Sequence, residues 1–216
     1  MNESTANIIK TLNKYKVYIG IGVGVAIAAS AGSLSFITMN KKKTQAAWQN
    51  LWKINKDLTM ALEPRGKEAK ERDAALSSAA NAYKYIRDNM SSTSATPWVL
   101  FQLGNVSYRL KNYDEAIQAY NDFLNRYRSH SLSPIVRQSL GYAYEEKGLL
   151  SEAVQQFETV AAQNSFLTAQ VEWDAGRCYE KLGQTDDAVR SYTRAVELSP
   201  NSSCATLAQY RLSAIR

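Results

Sequence analysis

One pattern passes three times through residues 97–200 and constrains the fold more than any other feature of the sequence. Its copies read LGNVSYRLKNYDEAIQAYNDFL, LGYAYEEKGLLSEAVQQFETVA and AGRCYEKLGQTDDAVRSYTRAV. Each copy has a glycine near its start, then an alanine, then an aromatic residue four positions later. These positions are Gly104, Ala116 and Tyr120; Gly141, Ala153 and Phe157; and Gly176, Ala188 and Tyr192. The glycines lie 37 and 35 residues apart, so the chain repeats one structural unit.

Each copy has room for two antiparallel helices of about a dozen residues, and such pairs bury their apolar faces by stacking on one another. The small Gly and Ala positions let the two helices approach closely, and the aromatic residue fills the space towards the neighbouring pair. Gly148 and Gly183 predict a left-handed residue in the turn between the paired helices of the second and third copies. Lys111 holds the equivalent position in the first copy, where its side chain makes the turn energetically less favourable. Thr96-Pro97 and Ser133-Pro134 predict an N-cap followed by proline.

This pattern resembles the tetratricopeptide repeat, whose period is close to 34 residues. The resemblance includes a third apolar position in the second helix, at Phe123, Val160 and Ala195, and a closing proline at Pro200. It implies an all-α chain in which residues 97–200 form three tetratricopeptide repeats of an α-solenoid. In this family the first helices line a concave groove that holds segments of partner proteins.

The segments on either side of the repeats extend the same architecture. Residues 40–96 are predicted to be a helical pair, a degenerate leading repeat. Its first helix runs from Lys43 to Leu62 with Trp48, Leu51, Trp52, Leu58 and Leu62 on one face, and its second from about Lys67 to Asn89. Glu63–Gly66 is predicted to end the first helix. In the second helix, Ala79, Tyr83 and Ile86 reproduce the spacing found in the second helices of the repeats. Residues 201–216 predict a C-terminal capping helix, started by Ser202 or Ser203, that buries Ala205, Ala208, Leu212 and Ile215.

An apolar segment precedes all of these helices. Residues 1–16 form a basic tail, and the 23 residues 17–39 carry no charge, which is enough for a transmembrane helix across about 30 Å of hydrocarbon. The rival interpretation is a cleaved signal peptide, because Ala29-Ser30-Ala31 has the small-x-small form of a cleavage site. The apolar run continues beyond that point to Met39, which favours an uncleaved anchor in the lipid bilayer.

Four small residues share one face of this predicted span, a spacing that permits close helix packing in membranes. They are Gly20, Gly24, Ala28 and Gly32. The alternative is a single-span helix that is rich in small residues without any partner. Lysines flank the span on both sides, so charge alone leaves its orientation open.

The net charge of +6 does not indicate a nucleic-acid-binding face. Residues 1–43 hold six lysines and one glutamate, whereas residues 44–216 hold 20 basic and 19 acidic side chains. The excess therefore flanks the apolar segment, and we expect no nucleic-acid partner.

The sequence offers no catalytic constellation. His130 is the only histidine and is expected to be a solvated loop residue, and Cys178 and Cys204 lack the neighbours of a metal site. Whether the two cysteines pair is left open by the sequence. We predict a protein that is not an enzyme and has no cofactor, no metal and no small-molecule substrate.

The predicted functional surface is the groove lined by the first helices. Counted from the three glycines, its residues are Phe101, Asn105, Tyr108, Tyr142, Glu145, Trp173, Arg177 and Glu180. Aromatic residues with a few charges suit the recognition of peptides. The alternative is that Phe101 and Trp173 pack between helices.

One groove chemistry of the family is disfavoured. Repeats that clamp the C-terminal acid of cytosolic chaperones use Lys, Asn, Asn, Lys and Arg at positions where this chain has Phe101, Asn105, Ser139, Gln170 and Asp174. Only Asn105 matches, so the groove is expected to prefer apolar or mixed partners.

The whole layout resembles the YfgM-like ancillary subunits of the bacterial SecYEG translocon. This resemblance implies a single-pass protein of the bacterial inner membrane, a periplasmic repeat domain, and translocon subunits or chaperones as partners. The expected function is a membrane-anchored adaptor for protein–protein interaction. The alternative is a structural accessory subunit, or assembly scaffold, of another multi-subunit membrane complex.

Overall fold

The computed structural model describes residues 3–62, 69–163 and 165–215, and every regular element among them is an α-helix. The helices are α1 (Glu3–Leu62), α2 (Ala69–Asn89), α3 (Thr96–Arg109), α4 (Tyr113–Arg126), α5 (Ser133–Glu146), α6 (Leu150–Ala161), α7 (Thr168–Lys181), α8 (Thr185–Leu198) and α9 (Ser203–Ile215). The second helix of the predicted leading pair ends at Asn89, as expected. The predicted break at Glu63–Gly66 lies outside the described residues.

The chain divides into two units, Met1–Ala46 and Ala47–Arg216. The first unit consists of the N-terminal part of α1, which runs without interruption through the basic tail, the apolar segment and the start of the leading pair. Among the described residues, α1 is the one helix long and apolar enough to cross a membrane, and none of its apolar stretch is buried. The surroundings of Gly24 are outside what the structure describes.

The second unit is a stack of helices in chain order. The pairs α3/α4, α5/α6 and α7/α8 are the three repeats, and each helix from α2 to α9 packs on the next. The buried side chains form separate clusters around Tyr83, Tyr120, Phe157 and Tyr192, strung along the stack. A line of local cores is typical of a solenoid. The all-helical repeat fold predicted from the sequence is confirmed.

A glycine–aromatic contact closes each helix pair. A Cβ placed on Gly104, Gly141 or Gly176 lies less than 3.0 Å from the ring of the aromatic residue in the second helix. The ring therefore rests directly on the backbone of the first helix. It also belongs to the cluster shared with the next pair, as Tyr120 does with Val136.

The turns between paired helices follow the sequence prediction. Gly148 and Gly183 have φ angles of 75° and 74°, and Lys111 has a φ of 60° at the equivalent position. A left-handed backbone at a residue with a Cβ costs about 1–2 kcal/mol. The first repeat therefore holds a strained turn that the other two avoid with glycine.

The predicted N-caps at Thr96 and Ser133 are wrong. These residues are the first of α3 and α5, and the capping positions are Ala95 and Leu132, which make no side-chain cap. The Thr96 hydroxyl donates to the Met90 carbonyl (3.3 Å), and the Ser133 hydroxyl donates to the Tyr127 carbonyl (3.0 Å). Both hydroxyls are buried where one helix ends and the next begins, and each adds a second donor to a carbonyl that already accepts a backbone N–H.

The predicted apolar face of the leading pair is correct at Leu51, Leu58 and Leu62, which belong to or pack against the core, and wrong at the two tryptophans. Ala47 and Leu51 are buried, whereas Trp52 is 65% exposed and Trp48 is 40% exposed. Trp48 donates its indole N–H to Ser94 (3.0 Å), and the Lys56 ammonium lies 5.1 Å from the centre of the Trp52 ring. The buried stripe starts one residue earlier than predicted, and this shift turns both tryptophans outward.

The C-terminal helix matches its prediction. The backbone N–H of Ala205 donates to the Ser202 hydroxyl (3.2 Å), so Ser202 caps α9. Ala205 and Ala208 are buried, and Leu212 packs against the cluster around Tyr192.

The glycine–aromatic contact predicts a mutational effect. Gly141→Ala should lower the free energy of unfolding by about 1–3 kcal/mol, because its Cβ overlaps the Phe157 ring. Chemical unfolding of the full chain measures this change. Phe157→Leu provides the control background, since a smaller side chain leaves room for the methyl group. An equal loss in both backgrounds contradicts the contact.

Candidate functional site

The predicted groove residues lie on the first helices of the three repeats, and all eight are half-buried. α3 supplies Phe101, Asn105 and Tyr108; α5 supplies Tyr142 and Glu145; and α7 supplies Trp173, Arg177 and Glu180. The spacing counted from the glycines thus places all of them at positions that are neither fully buried nor fully exposed.

A cavity of about 420 Å³ opens on this face and brings three of the eight residues together, Asn105, Tyr108 and Tyr142. The other side chains in its wall are Leu58, Gln102, Val106, Arg109, Tyr120 and Ser139. Leu58 belongs to α1, so the leading pair contributes to this cavity as well as the repeats. The sequence had placed Leu58 only in the core face of its own pair.

Asp174 of α7 is the centre of a polar network that joins the second and third repeats. Its carboxylate accepts hydrogen bonds from the Tyr142 hydroxyl (2.6 Å) and from the Arg177 guanidinium (3.1 Å). The side-chain amides of Gln138 (3.4 Å) and Gln170 (3.3 Å) complete the set. Asp174 is 2% exposed, and this burial raises the pKa of its carboxyl group.

No local sequence pattern indicates this network, because it is built from residues of separate repeats. From the sequence alone, Asp174 is only a position that does not match the carboxylate clamp. The signal that could have identified the network is an aspartate at a helix position that is expected to face the core.

Arg177 links α5 to α7 through a second carboxylate. Its guanidinium donates two hydrogen bonds to Glu145 (2.7 and 3.0 Å), and the Lys181 ammonium lies 2.7 Å from the same carboxylate. A bidentate pair of this kind fixes the relative position of both partners. The charges of Glu145 and Arg177 are therefore matched within the wall of the groove.

Glu180 and Trp173 are engaged at the other end of the stack. Glu180 accepts from the Tyr192 hydroxyl (2.9 Å) and from Arg211 of α9 (3.0 Å). The Trp173 ring lies 5.2 Å from the Tyr192 ring, and Phe101 lies 6.5 Å from Tyr120. Phe101 and Trp173 thus pack on helix-pair aromatics while keeping part of their surface accessible.

The aromatic residues of the helix pairs also reach the inner face. The buried tyrosines Tyr83, Tyr120 and Tyr192 donate their hydroxyls to Asn55 (2.6 Å), Asn105 (2.8 Å) and Glu180 (2.9 Å). The second repeat has Phe157 at this position and lacks the hydroxyl. There Tyr142 stacks on Phe157, with ring centres 5.5 Å apart, and supplies a hydroxyl to Asp174.

The residues considered for catalysis have structural surroundings. His130 is half-buried rather than solvated, because its ring lies edge-on to Phe123 at 5.6 Å and to Trp98 at 6.3 Å. Cys178 and Cys204 are buried and free, and burial raises the pKa of the Cys178 thiol to about 12. Within the described ranges no group of His, Cys, Asp and Glu side chains could hold a metal ion.

Helix pairs stacked in a line, with a half-buried and hydrogen-bonded inner face, define a scaffold for protein–protein interaction. A family model described as a tetratricopeptide repeat-like domain matches residues 11–216, and the chain belongs to this family. Domains with this fold bind other proteins and are typically not enzymes. No curated protein sequence matches the chain.

Three solved structures illustrate the likeness in fold. A tetratricopeptide repeat protein from Parabacteroides merdae ATCC 43184 is 17% identical with a TM-score of 0.62, over 78% of this chain and 60% of that protein. MamA from Desulfovibrio magneticus RS-1 is 16% identical with a TM-score of 0.59, over 77% of this chain and 83% of MamA. YrrB, described as a TPR protein with an unusual peptide-binding site, is 18% identical with a TM-score of 0.54, over 65% of this chain and 72% of YrrB. The chain therefore spans less than two thirds of the first of these proteins.

The network around Asp174 predicts a difference between two substitutions. Asp174→Ala should lower the free energy of unfolding by about 1–3 kcal/mol, because it removes the acceptor of the Tyr142 hydroxyl and of one Arg177 N–H. Asp174→Asn should cost less, since the neighbouring amides and hydroxyl can reorient around the new amide group. Urea unfolding of both variants at neutral pH measures the difference. Equal losses contradict the proposed role of these hydrogen bonds.

The raised pKa of Asp174 adds a pH dependence with a definite sign. The folded protein holds this proton more tightly than the unfolded chain, whose pKa is near 3.8. The resulting stabilisation is present below pH 3.8 and is lost as the pH rises through the raised pKa. The stability of the wild type relative to Asp174→Asn should therefore fall as the pH rises through this window. A difference that does not change with pH rejects this prediction.

Proposed function

We propose that this protein is a membrane-anchored adaptor that holds partner proteins in the groove on the first helices of its repeats. In this proposal residues 17–39 span the bacterial inner membrane, the repeats lie in the periplasm, and the partners are translocon subunits or chaperones that hand over client proteins. The observation that carries the adaptor role is the cavity of about 420 Å³ on the inner face, where Asn105, Tyr108 and Tyr142 meet.

The chemistry of the groove supports a partner with apolar and hydrogen-bonding groups. Tyr108 and Tyr142 offer both an apolar ring and a hydroxyl, and Ser139 and Gln102 add polar contacts to the cavity wall. Tyrosine is also enriched among the residues that dominate binding energies.

The same chemistry disfavours a C-terminal acid as the bound group. Where the carboxylate clamp places its three cations, this groove has Phe101, Gln170 and Asp174. The Asp174 carboxylate is buried and already accepts several hydrogen bonds. The Arg177 guanidinium is shared between Asp174 and Glu145, and the Lys181 ammonium is paired with Glu145. A second carboxylate entering there meets like charge rather than a free cation.

The exposed apolar surface of α1 supports the anchor. Val17, Ile27, Phe36 and Met39 are each more than 60% exposed, and none of the apolar stretch is covered by the rest of the chain. The core helix of a soluble protein has its apolar side chains covered by the rest of the chain. The uncovered apolar side chains of α1 instead suit contact with lipid. The family match begins at residue 11 and therefore includes this helix together with the repeats.

A scaffold subunit of another membrane complex is the second candidate function. A Cβ at Gly20 or Gly32 meets no atom within 4 Å, so these positions are open to a neighbouring transmembrane helix. In a scaffold, Gly32→Leu releases the protein from its complex, whereas in an adaptor it leaves partner capture unchanged.

The topology can be measured with single cysteines in intact cells. The proposal expects a membrane-impermeant maleimide to label Gln118→Cys, in the repeats, and to leave Lys10→Cys unlabelled until the membrane is opened. Both positions are exposed, while the native Cys178 and Cys204 are buried and give a low background. The reverse labelling pattern places the repeats in the cytoplasm and overturns the periplasmic assignment.

The groove can be tested by purification from gently solubilised membranes. Tyr108→Ala should reduce the amount of translocon subunits and periplasmic chaperones that co-purify with the protein. The expected loss of binding free energy is about 1–3 kcal/mol, as for a hot-spot residue. Quantitative mass spectrometry against a tagged wild type measures the ratio. Tyr127→Ala is the matched control, because Tyr127 is also half-buried and packs on Phe123 outside the cavity. Equal loss, or no loss, in the two variants argues against the groove.

A further inference from the structure

The repeat stack has two edges, because its helices alternate in direction along the chain. At the turn edge, short turns join the two helices of each repeat, residues 110–112, 147–149 and 182–184. At the link edge, longer segments join one pair to the next, residues 90–95, 127–132, 162–167 and 199–202. Arg126 donates to the Ser91 carbonyl (2.7 Å), and the Trp98 ring lies 6.3 Å from the His130 ring. These contacts join the first two links into one surface.

The two edges differ in charge. At the turn edge, the first turns of α4, α6 and α8 carry Asp114, Glu115, Glu152, Asp186 and Asp187. At the link edge, the first turns of α3, α5, α7 and α9 carry no acidic residue. Acids in a first turn compensate the positive end of the helix dipole, so the helices that begin at the link edge lack this compensation.

The links themselves contain a single charged side chain, the exposed Arg128. The nearest acids precede the links, in the last turns of α2, α6 and α8. Two of them, Asp88 and Glu158, accept hydrogen bonds from Arg87 and Tyr179. The outermost layer of the link edge is therefore neutral to basic.

Exposed aromatic side chains also lie at the link edge. Phe166 is 83% exposed, and no other large apolar side chain that the structure describes is more exposed. Trp98, in the first turn of α3, is 38% exposed. Ser94 and Ser131 occupy the position of Phe166 in the two earlier links. An exposed aromatic ring near a basic side chain suits the interface between a lipid bilayer and water.

The chain enters the repeat unit at this same edge. α1 joins that unit at Ala47, and the next residue, Trp48, donates to Ser94 of the first link (3.0 Å). Eight residues lead from Met39, the last residue of the proposed span, to Ala47, and a helix of that length rises about 12 Å. The turn edge is farther along the chain by the length of a repeat helix, about 21 Å for 14 residues. The link edge is thus the part of the repeat unit that is tethered closest to the bilayer.

We propose that the link edge rests on the surface of the membrane that holds α1, with Phe166 inserted among the lipid headgroups and Arg128 beside their phosphates. This inference rests on the proposed anchor and adds a second contact with the same membrane. A lipid surface is the partner that fits for three reasons. The chain tethers it to this edge, its interface accepts an aromatic ring, and its phosphates complement links that carry no acid.

This contact leaves the groove open to a partner protein. Asn105 and Tyr108 line the cavity from the second half of α3, whereas α3 begins at the link edge. Nine residues separate Thr96 from Asn105, which is about 14 Å along the helix. A segment bound in the cavity is then held at about that height above the lipid surface.

Electron paramagnetic resonance of a spin label on the full chain in nanodiscs tests the proposal. Discs of phosphatidylethanolamine and phosphatidylglycerol, supplied in excess, hold one chain each, so neither a second copy nor another protein covers the edge. The label is placed at Gln163→Cys, exposed in the same link as Phe166, or at Gln184→Cys, exposed at the turn edge. The native cysteines are buried and give a low background. A water-soluble nickel chelate should reach position 163 several-fold less than position 184.

Two substitutions identify the groups that make the contact. Phe166→Ser should restore access of the chelate to position 163, whereas Leu182→Ser, at an exposed leucine of the turn edge, should not. Arg128→Gln should weaken the contact about fivefold in discs with phosphatidylglycerol, the contribution of one arginine near an anionic surface, and leave it unchanged in discs of phosphatidylcholine. Lys147→Gln removes the same charge from the turn edge and should have no effect.

The outcomes separate this inference from the anchor on which it rests. A chain that does not co-elute with the discs overturns the anchor and the contact together. A chain that co-elutes but gives the chelate equal access to positions 163 and 184 overturns the lipid contact alone. So does exclusion from position 163 that survives both Phe166→Ser and Arg128→Gln.

Discussion

The contact between a glycine backbone and an aromatic ring within each repeat sets the geometry on which the rest of the structure depends. Because Gly104, Gly141 and Gly176 have no Cβ, the ring of the second helix lies directly on the first helix. This contact fixes how closely the two helices approach. It also directs Tyr120 and Tyr192 so that their hydroxyls emerge on the inner face beside Asn105 and Glu180. The core contact and the groove wall are thus built by the same side chains.

The inner face is polar in composition and largely matched in charge. Glu145 is paired with Arg177 and Lys181, and Glu180 is paired with Arg211. Half-buried carboxylates with such partners are held in place, because the loss of one partner leaves a partly desolvated charge without compensation. The rest of the inner face around the cavity consists of tyrosine rings, hydroxyls and amides. That chemistry favours mixed or apolar segments over strongly acidic ones.

The repeat pattern determined the parts of the structure that depend on residues close in sequence. It predicted the helix pairs, the left-handed backbone at Lys111 and a cap at Ser202 or Ser203, of which Ser202 makes the bond, because each follows from local spacing and backbone chemistry. The half-buried position of the eight groove residues also followed, since helical spacing from a known contact residue determines the face.

The remaining features depend on how separate helices meet, which local spacing does not determine. The Thr96 hydroxyl bonds the end of the preceding helix because the two helices meet there, which no local cap rule contains. Trp48 and Trp52 point outward because the stripe of α1 that meets α2 starts one residue earlier than hydrophobicity alone suggests. Asp174 is surrounded by donors from two repeats, and only the stacking of these repeats reveals its role.

Site-specific photo-crosslinking in intact membranes tests the central claim most directly, namely that the inner face of the first helices is the surface that binds partners. A photoreactive residue at Ser139 lies in the cavity wall, and one at Gln155 is exposed on α6 outside it. If the inner face binds partners, position 139 gives a defined crosslinked partner and position 155 gives none. Crosslinks from position 155 alone, or the same products from both positions, would contradict it.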